Sequence, residues 1–211
     1  NCFNYHLNPA GFIVDEGLRQ LGAVVVPSGT GNTELQVQVM HDLKVTGYVG
    51  AVDFLMTLIK RAEGLGYDFR RDFALEHCWH LGEVLPGPLK RSLEDYGLNI
   101  TDNYGTSELM LLAYGCHRGS GMHVNHERII EITDPTTGRQ LGPGEKGEVV
   151  VTTFYENFPL IRYGTGDLSS YTDEPCPCGR TSPRLVGILG RVGDAIKVRT
   201  VFLHPNELKR L

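Results

Sequence analysis

The sequence predicts an α/β fold: a parallel-sheet α/β subdomain, then a β-rich subdomain, then the start of a third unit. Three observations predict it. Over the first hundred or so residues helical and strand-like patterns alternate, as they do where helices connect strands of a largely parallel sheet. Beyond about residue 115 helical periodicity stops, and short β-like runs separated by turn residues replace it. Near "GRVGDAIKVR" the character shifts again, with about twenty of the 211 residues still to come.

Taken in order, "VDEGLRQLG" predicts a helix closed by Gly22, and "AVVV" (residues 23–26) a buried strand. "PSGTGNTE" (residues 27–34) comes next. A small-residue loop between an apolar run and a helical segment invites comparison with a phosphate cradle, because backbone N–H groups there can hold an anion. It lacks the G-K-[ST] ending and any lysine, so a P-loop nucleotidase is a poor reading. Asn32 or Thr33 reads instead as the N-cap of a helix over "TELQVQVMHDLK". Then come a strand in "VTGYVG", a helix in "AVDFLMTLIKRAEGLG", a strand in "FALEHCWHLG", a helix in "PGPLKRSLEDYG" with proline at its start, and a strand in "LNITDNYG". In the second part "RIIEIT", "GEVVVTTF", "PLIRYGTGDLSSY" and "PRLVGIL" read as β, divided by the turns "DPTTG" and "GPGEKG".

Composition narrows the function classes. A hydrophobic fraction of 41% and a charged fraction of 21% are those of a globular protein with a core. The formal net charge of −5 argues against a dedicated nucleic-acid binder, which carries a basic stripe. No apolar run approaches the roughly 20 residues that span a bilayer, so no membrane partner is expected. The five cysteines do not form a secretory disulfide framework, which points to a reducing, cytoplasmic setting. The opening "NCFNYHLNPAGF" has no initiator Met and "NELKRL" ends inside a helix-like run, so the chain reads as a fragment.

Three stretches carry chemistry. In "NITDNYGTSE" a strand ends in Asp102 and runs into a glycine turn with two hydroxyls and a carboxylate, groups suited to phosphate oxygens and Mg²⁺. By itself a strand followed by a capped helix start explains it more simply. In "RYGTGDL" an aspartate follows a glycine turn at a strand junction and suits the two hydroxyls of a ribose; a plain β-turn aspartate would look the same. "LGRVGDAIKVR" sets basic and acidic groups on a short irregular link before a strand, as a surface hairpin also would.

In this order the three resemble Y-G-x-[ST]-E, Y-x-T-G-D and G-R-x-x-D-x-I-K of the adenylate-forming superfamily of acyl-CoA synthetases, adenylation domains and luciferases. "LGAVVVPSGTGNTELQ", "YGTSE" and "IKVRTVFLHPNEL" are most like phenylacetate–CoA ligases and related aryl-CoA ligases. The resemblance covers essentially the whole chain. It implies residues 1–104 as part of the α/β adenylation domain, 105–189 as the β-rich subdomain, and 190–211 as a hinge and the start of a small α+β lid domain. It implies that Ser107 contacts the α-phosphate and that Glu108 coordinates Mg²⁺. Gly82 and Glu83 would line the adenine pocket, with Asp102, Asn103 and Tyr104 against the base and Gly105 and Thr106 beside them. Asp167 would hold the ribose hydroxyls and Arg191 the ribose or phosphate. The hinge position carries Gly193 rather than the usual Asp or Lys, and Thr200 stands where a glycine is common. The Ser/Thr/Gly-rich phosphate loop is expected before residue 1 and the adenylation lysine after residue 211, so the chain alone is not expected to be a competent ligase.

"CHRGSGMH" and "CPCGR" lie about fifty residues apart and supply Cys116, Cys176 and Cys178, with His123 as the preferred fourth ligand ahead of His117 and His126. Cys₃His is a common structural-zinc composition; three buried, packed thiols are the alternative. The resemblance, in which some members carry Cys and His here, favours zinc. The expected function is therefore part of an AMP-forming, ATP- and Mg²⁺-dependent aryl-acid CoA ligase, with an aromatic carboxylic acid and coenzyme A as partners. A non-catalytic, zinc-stabilised nucleotide-binding or scaffold module descended from such an enzyme is the second reading. The acid is not readable from the sequence, and a homodimer is among the arrangements it leaves open.

Overall fold

A computed structural model describes residues 1–193 and the strand backbones of residues 196–198 and 201–203. The chain divides into two compact units, Asn1–Asp102 and Asn103–Leu211.

In the first unit α1 (Ala10–Gln20) and α2 (Thr33–Asp42) precede β1 (Gly47–Gly50); α3 (Val52–Gly64), α4 (Phe69–Asp72), β2 (His77–Leu81) and α5 (Gly87–Asp95) come after it. β1 and β2 pair in parallel, from Gly47 opposite His77 to Gly50 opposite His80, as a helix crossover between adjacent strands requires. The core forms where α3 turns its stripe inward. Val52, Leu55, Leu58, Ile59 and Ala62 fall at the three- and four-residue spacing that puts side chains on one helix face, and all are fully buried. Val37 and Met40 of α2, Tyr48 of β1, Cys78 of β2 and Leu93 of α5 complete the cluster. Gly22, at φ 85°, closes α1 as expected.

One expectation fails here, and one holds only in part. "AVVV" forms no strand: Val24 is 96% exposed, and the run is tied down by the Asn1 amine donating to the Val26 carbonyl, with Ser28 N–H donating back to the Asn1 carbonyl. A continuous apolar run is only consistent with a buried strand; a ladder partner makes it one. In "FALEHCWHLG" the strand begins only at His77; ahead of that run lies the short helix α4, which no expectation covered, capped by Asp68, whose carboxylate accepts from the Arg70 and Arg71 N–H groups. The loop 27–34 is a capping structure. Asn32, in the left-handed region at φ 41°, accepts from Leu35 N–H and is the N-cap of α2, so Thr33 is its first helical residue. The buried Gln36 amide donates to the Gly29 and Gly31 carbonyls, holding the loop to its own helix.

β3 (Asn99–Thr106) carries the chain from one unit into the next. It matches the strand expected in "LNITDNYG" and runs past Asp102, where the motif "NITDNYGTSE" suggests its end. In the second unit it pairs antiparallel with β4 (Met110–Gly115), which pairs with β5 (Met122–Val124). A second sheet is built of β6 (Ile129–Thr133), β7 (Gly147–Thr152) and β8 (Tyr163–Ser169). β9 (Tyr171–Thr172) returns to the first of these sheets through β10 (Arg184–Leu185), which pairs with β5. β11 (Gly190–Arg191) adds to the second sheet beside β8. β12 (Ile196–Val198) and β13 (Val201–Leu203) form a hairpin. Among the described residues no helix follows α5, matching the loss of helical periodicity. Leu109, Leu112, Ala113, Ile132, Val149, Val151 and Leu185 form this unit's core. Most of the lid domain expected over residues 190–211 lies outside the described residues.

Candidate functional site

The hairpin β3–β4 presents the first motif. Ser107–Leu109 form its turn, anchored by fully buried Leu109, whose N–H donates to Thr106 Oγ1 at 3.2 Å. Ser107 and Glu108 stand exposed at the tip. This is a hairpin turn rather than a helix start. The register shifts between Tyr104 and Gly105, and any Cβ on Gly105 would collide with the Met110 carbonyl. That glycine is required by a close backbone approach.

One residue back, Tyr104 is buried and its hydroxyl donates to Asp167 Oδ2 at 2.8 Å. Burial, reinforced by the Asp167 carboxylate, pushes this phenol well above its ordinary range, so it stays a donor. Asp167 lies not at a strand junction but inside β8. Val150 of β7 faces Gly164 and Glu148 faces Leu168, so Thr165, Gly166 and Asp167 bulge out opposite Val149 alone. Gly166 sits at φ 74°, and a Cβ on it would come within 2.8 Å of Arg191 Nη2. Arg191, paired with Asp167 across β8 and β11, donates through Nη1 to Asp167 Oδ1 at 2.6 Å. Both carboxylate oxygens are thereby oriented, one by a phenol and one by a guanidinium. Gly193 lies two residues on at φ 84°, in the left-handed region that glycine adopts without steric cost.

In the first unit, Gly82 leaves β2 at φ 108° and Glu83 is half-buried, its Oε1 removed from water without a hydrogen-bond partner among the described residues. Between them and β3 lies His80, fully buried, with Nε2 2.8 Å from the Glu83 carbonyl and 3.9 Å from Asp102 Oδ1. Sequence reasoning passed over His80; its only signal was the alternation in "HCWHL" (residues 77–81). Asn103 is buried, and its Oδ1 accepts from Gly115 N–H at 3.1 Å.

Cys116, His123, Cys176 and Cys178 converge, their ligand atoms all within 4.8 Å of one another. Two sulfurs each about 2.3 Å from a tetrahedral zinc lie about 3.7 Å apart. Cys116 and Cys176 Sγ are separated by 3.7 Å, and Cys178 Sγ is 3.3 Å from His123 Nε2. On the other side of the ring, His123 Nδ1 lies 3.1 Å from Ser182 Oγ and 3.3 Å from its carbonyl, the outer contact that fixes a ligating imidazole. Hydrogen bonding from the Arg180 backbone N–H brings the Cys178 thiol down to about 6, toward the thiolate a metal needs. The donor set therefore fits zinc. Arg184, missed in the sequence, is buried and donates to the Ser120 and Glu174 carbonyls, tying together the two loops that carry the cysteines.

No family model matches the chain. Phenylacetate–coenzyme A ligase of Thermus thermophilus is 31% identical over 99% of the chain, and that of Escherichia coli 30% identical over 99%. The chain is a homologue of the phenylacetate–CoA ligases. It spans about half the length, 48%, of these curated relatives. The structure of a 2-hydroxyisobutyryl-CoA ligase, in complex with 2-HIB-AMP and CoA, superposes with a TM-score of 0.89 over 99% of this chain and 46% of that one, at 27% identity. An anthranilate CoA ligase, TM-score 0.57 and 19% identical over 88% of this chain and 37% of that one, shares the fold. The chain thus carries the fold of an adenylate-forming CoA ligase.

Proposed function

We propose that this chain is the nucleotide-handling portion of an AMP-forming aryl-acid CoA ligase. Such an enzyme joins a carboxylate to the α-phosphate of ATP, releases pyrophosphate, and passes the acyl group to the thiol of coenzyme A. The observation that carries the proposal is the convergence of three separate motifs on one carboxylate: Tyr104 and Arg191 both donate to Asp167. A carboxylate with both oxygens fixed in direction is prepared to accept the paired hydroxyls of a ribose.

Asp167 is assigned the ribose, with Arg191 reaching ribose or phosphate. Gly82, Glu83, Asp102, Asn103, Tyr104, Gly105 and Thr106 are assigned to the adenine side. Charge grows on the phosphoryl oxygens as the carboxylate attacks, and Ser107 would donate to them. Exposed Glu108 would hold Mg²⁺, which supplies charge neutralisation; a single carboxylate plus substrate phosphates is a usual way to bind that ion. Cys116, His123, Cys176 and Cys178 would hold zinc in a structural role, since four protein ligands leave no position for substrate. Such thiols suit a reducing, cytoplasmic setting.

The test is pyrophosphate release by the complete protein with ATP, Mg²⁺ and a panel of carboxylic acids led by phenylacetate. Asp167→Ala is expected to raise the KM for ATP at least tenfold, and Glu108→Ala to lower kcat. Wild-type turnover by both variants would defeat these assignments. For the cluster, metal analysis of purified protein should find about one equivalent of zinc; less than about half an equivalent, with all three thiols reactive, would end that part of the reading.

A further inference from the structure

We infer that Glu148 is a positioning residue for the nucleotide, acting through the bulge that carries Asp167; this rests on the reading that Asp167 binds ribose. Glu148 lies on β7, in none of the three motifs. Its half-buried carboxylate reaches across the ladder, and Oε1 accepts from the Gly166 N–H at 2.9 Å. That N–H has left the β7–β8 ladder because the strand is bulged, so it needs another acceptor.

The rest of the bulge is held in the same way. Thr165 Oγ1 donates to the Val149 carbonyl at 2.9 Å and accepts from Asp167 N–H at 3.1 Å, while the Gly166 carbonyl accepts from Val192 N–H at 2.8 Å. Glu148 is the only charged side chain among these bonds. A carboxylate acceptor makes the stronger, charge-assisted kind. It also stands against the next glycine of the motif: a Cβ on Gly164 would fall 2.7 Å from Glu148 Oε1 and 3.2 Å from its Cδ. Gly164 has no unusual φ, so its lack of a side chain serves the carboxylate rather than the backbone. The "GTG" of the motif therefore has two functions. Gly166 makes room for Arg191 and takes the bulged conformation; Gly164 makes room for the residue that anchors the bulge.

The experiment measures ATP and 2′,3′-dideoxy-ATP binding, with steady-state KM and kcat, on the complete protein. The variants are Glu148→Ala, Glu148→Gln, Gly164→Ala and Asp167→Ala. Loss of one charge-assisted bond is expected to weaken ATP binding about tenfold or more in Glu148→Ala. Its binding of the dideoxy nucleotide should change little, so that discrimination between the two collapses as it does in Asp167→Ala. Glu148→Gln keeps an acceptor oxygen and should restore most of the preference. Gly164→Ala, which leaves the carboxylate in place chemically but displaces it, should behave like Glu148→Ala. If Asp167→Ala weakens ATP while Glu148→Ala and Gly164→Ala keep the wild-type preference for ribose hydroxyls, Glu148 has no positioning role. If Asp167→Ala itself binds ATP like the wild type, the ribose reading fails first.

Discussion

The first unit buries leucine, isoleucine and valine on α3 and its neighbours, with Gln36 and His80 its buried polar side chains among the described residues; the second buries Asn103, His123, Thr133, Thr153, Ser169, Ser170 and Arg184. The difference sets how each unit can fail. An apolar core loses stability in proportion to the contacts removed, whereas a buried polar network is costly whenever one partner leaves and another is stranded. The difference follows the proposed site only in part: Tyr104, Asp167, Arg191 and the Cys₃His cluster lie in the polar unit, whereas Gly82, Glu83 and Asp102 lie in the other. A scaffold of helices needs little chemistry to stand; a surface that aims carboxylates and thiols must satisfy each of them.

The contrast can be broken most forcefully at Leu58, fully buried in α3. Leu58→Ala should cost about 2–5 kcal/mol, measured by urea denaturation, and hydrogen exchange should place the loss in residues 1–102 while zinc content stays unchanged. An equal loss of zinc would show that the two units are not independent in this sense. Next comes Arg184→Met, which removes the bonds of buried Arg184 to the Ser120 and Glu174 carbonyls, for a cost of about 1–3 kcal/mol. Here zinc retention against a competing chelator should fall, the opposite pattern to Leu58→Ala. Asn32→Ala removes the cap of α2 and a residue suited to the left-handed region, for about 1 kcal/mol, and Asn32→Gly should recover most of it.

The smallest effect at neutral pH concerns Cys78. Burial pushes its thiol up to about 12 from an ordinary value near 9. Above pH 9 the unfolded chain gives up this proton while the folded unit keeps it, so stability is complete below about 9 and falls as pH rises toward about 12. Cys78→Ala should flatten that alkaline limb in a pH series of denaturation midpoints, even if it lowers stability overall. An unchanged limb would mean that Cys78 does not set it.

How much the sequence disclosed depends on which interactions are local. α3 was legible because its own spacing defines its buried face, and α5 because proline marks its start. The three motifs stood out as strings because small residues sit beside Asp, Ser and Glu in them. The register was not legible. That β3 runs on past Asp102, or that three residues of β8 oppose one of β7, depends on strands met elsewhere in the chain. "AVVV" misled for the same reason, its composition being right for a strand that has no ladder. His80, Glu148, Ser182 and Arg184 escaped because each acts through a partner that spacing along the chain does not reveal; Arg184 reaches Ser120 across 64 positions.

The bulged strand restricts how this stretch can change in length. Thr153 is buried and bonded in both directions to Leu160, but the segment 154–159 between them can gain or lose residues at the cost of a longer or shorter loop. Between Gly164 and Leu168 that freedom is absent. Deleting one codon there would invert the side-to-side alternation of the residues beyond it, turning the aspartate to the opposite face or forcing fully buried Ser169 out of its place. A library of single-codon deletions across residues 150–170 should therefore separate sharply, with survivors in the loop and none in the bulge.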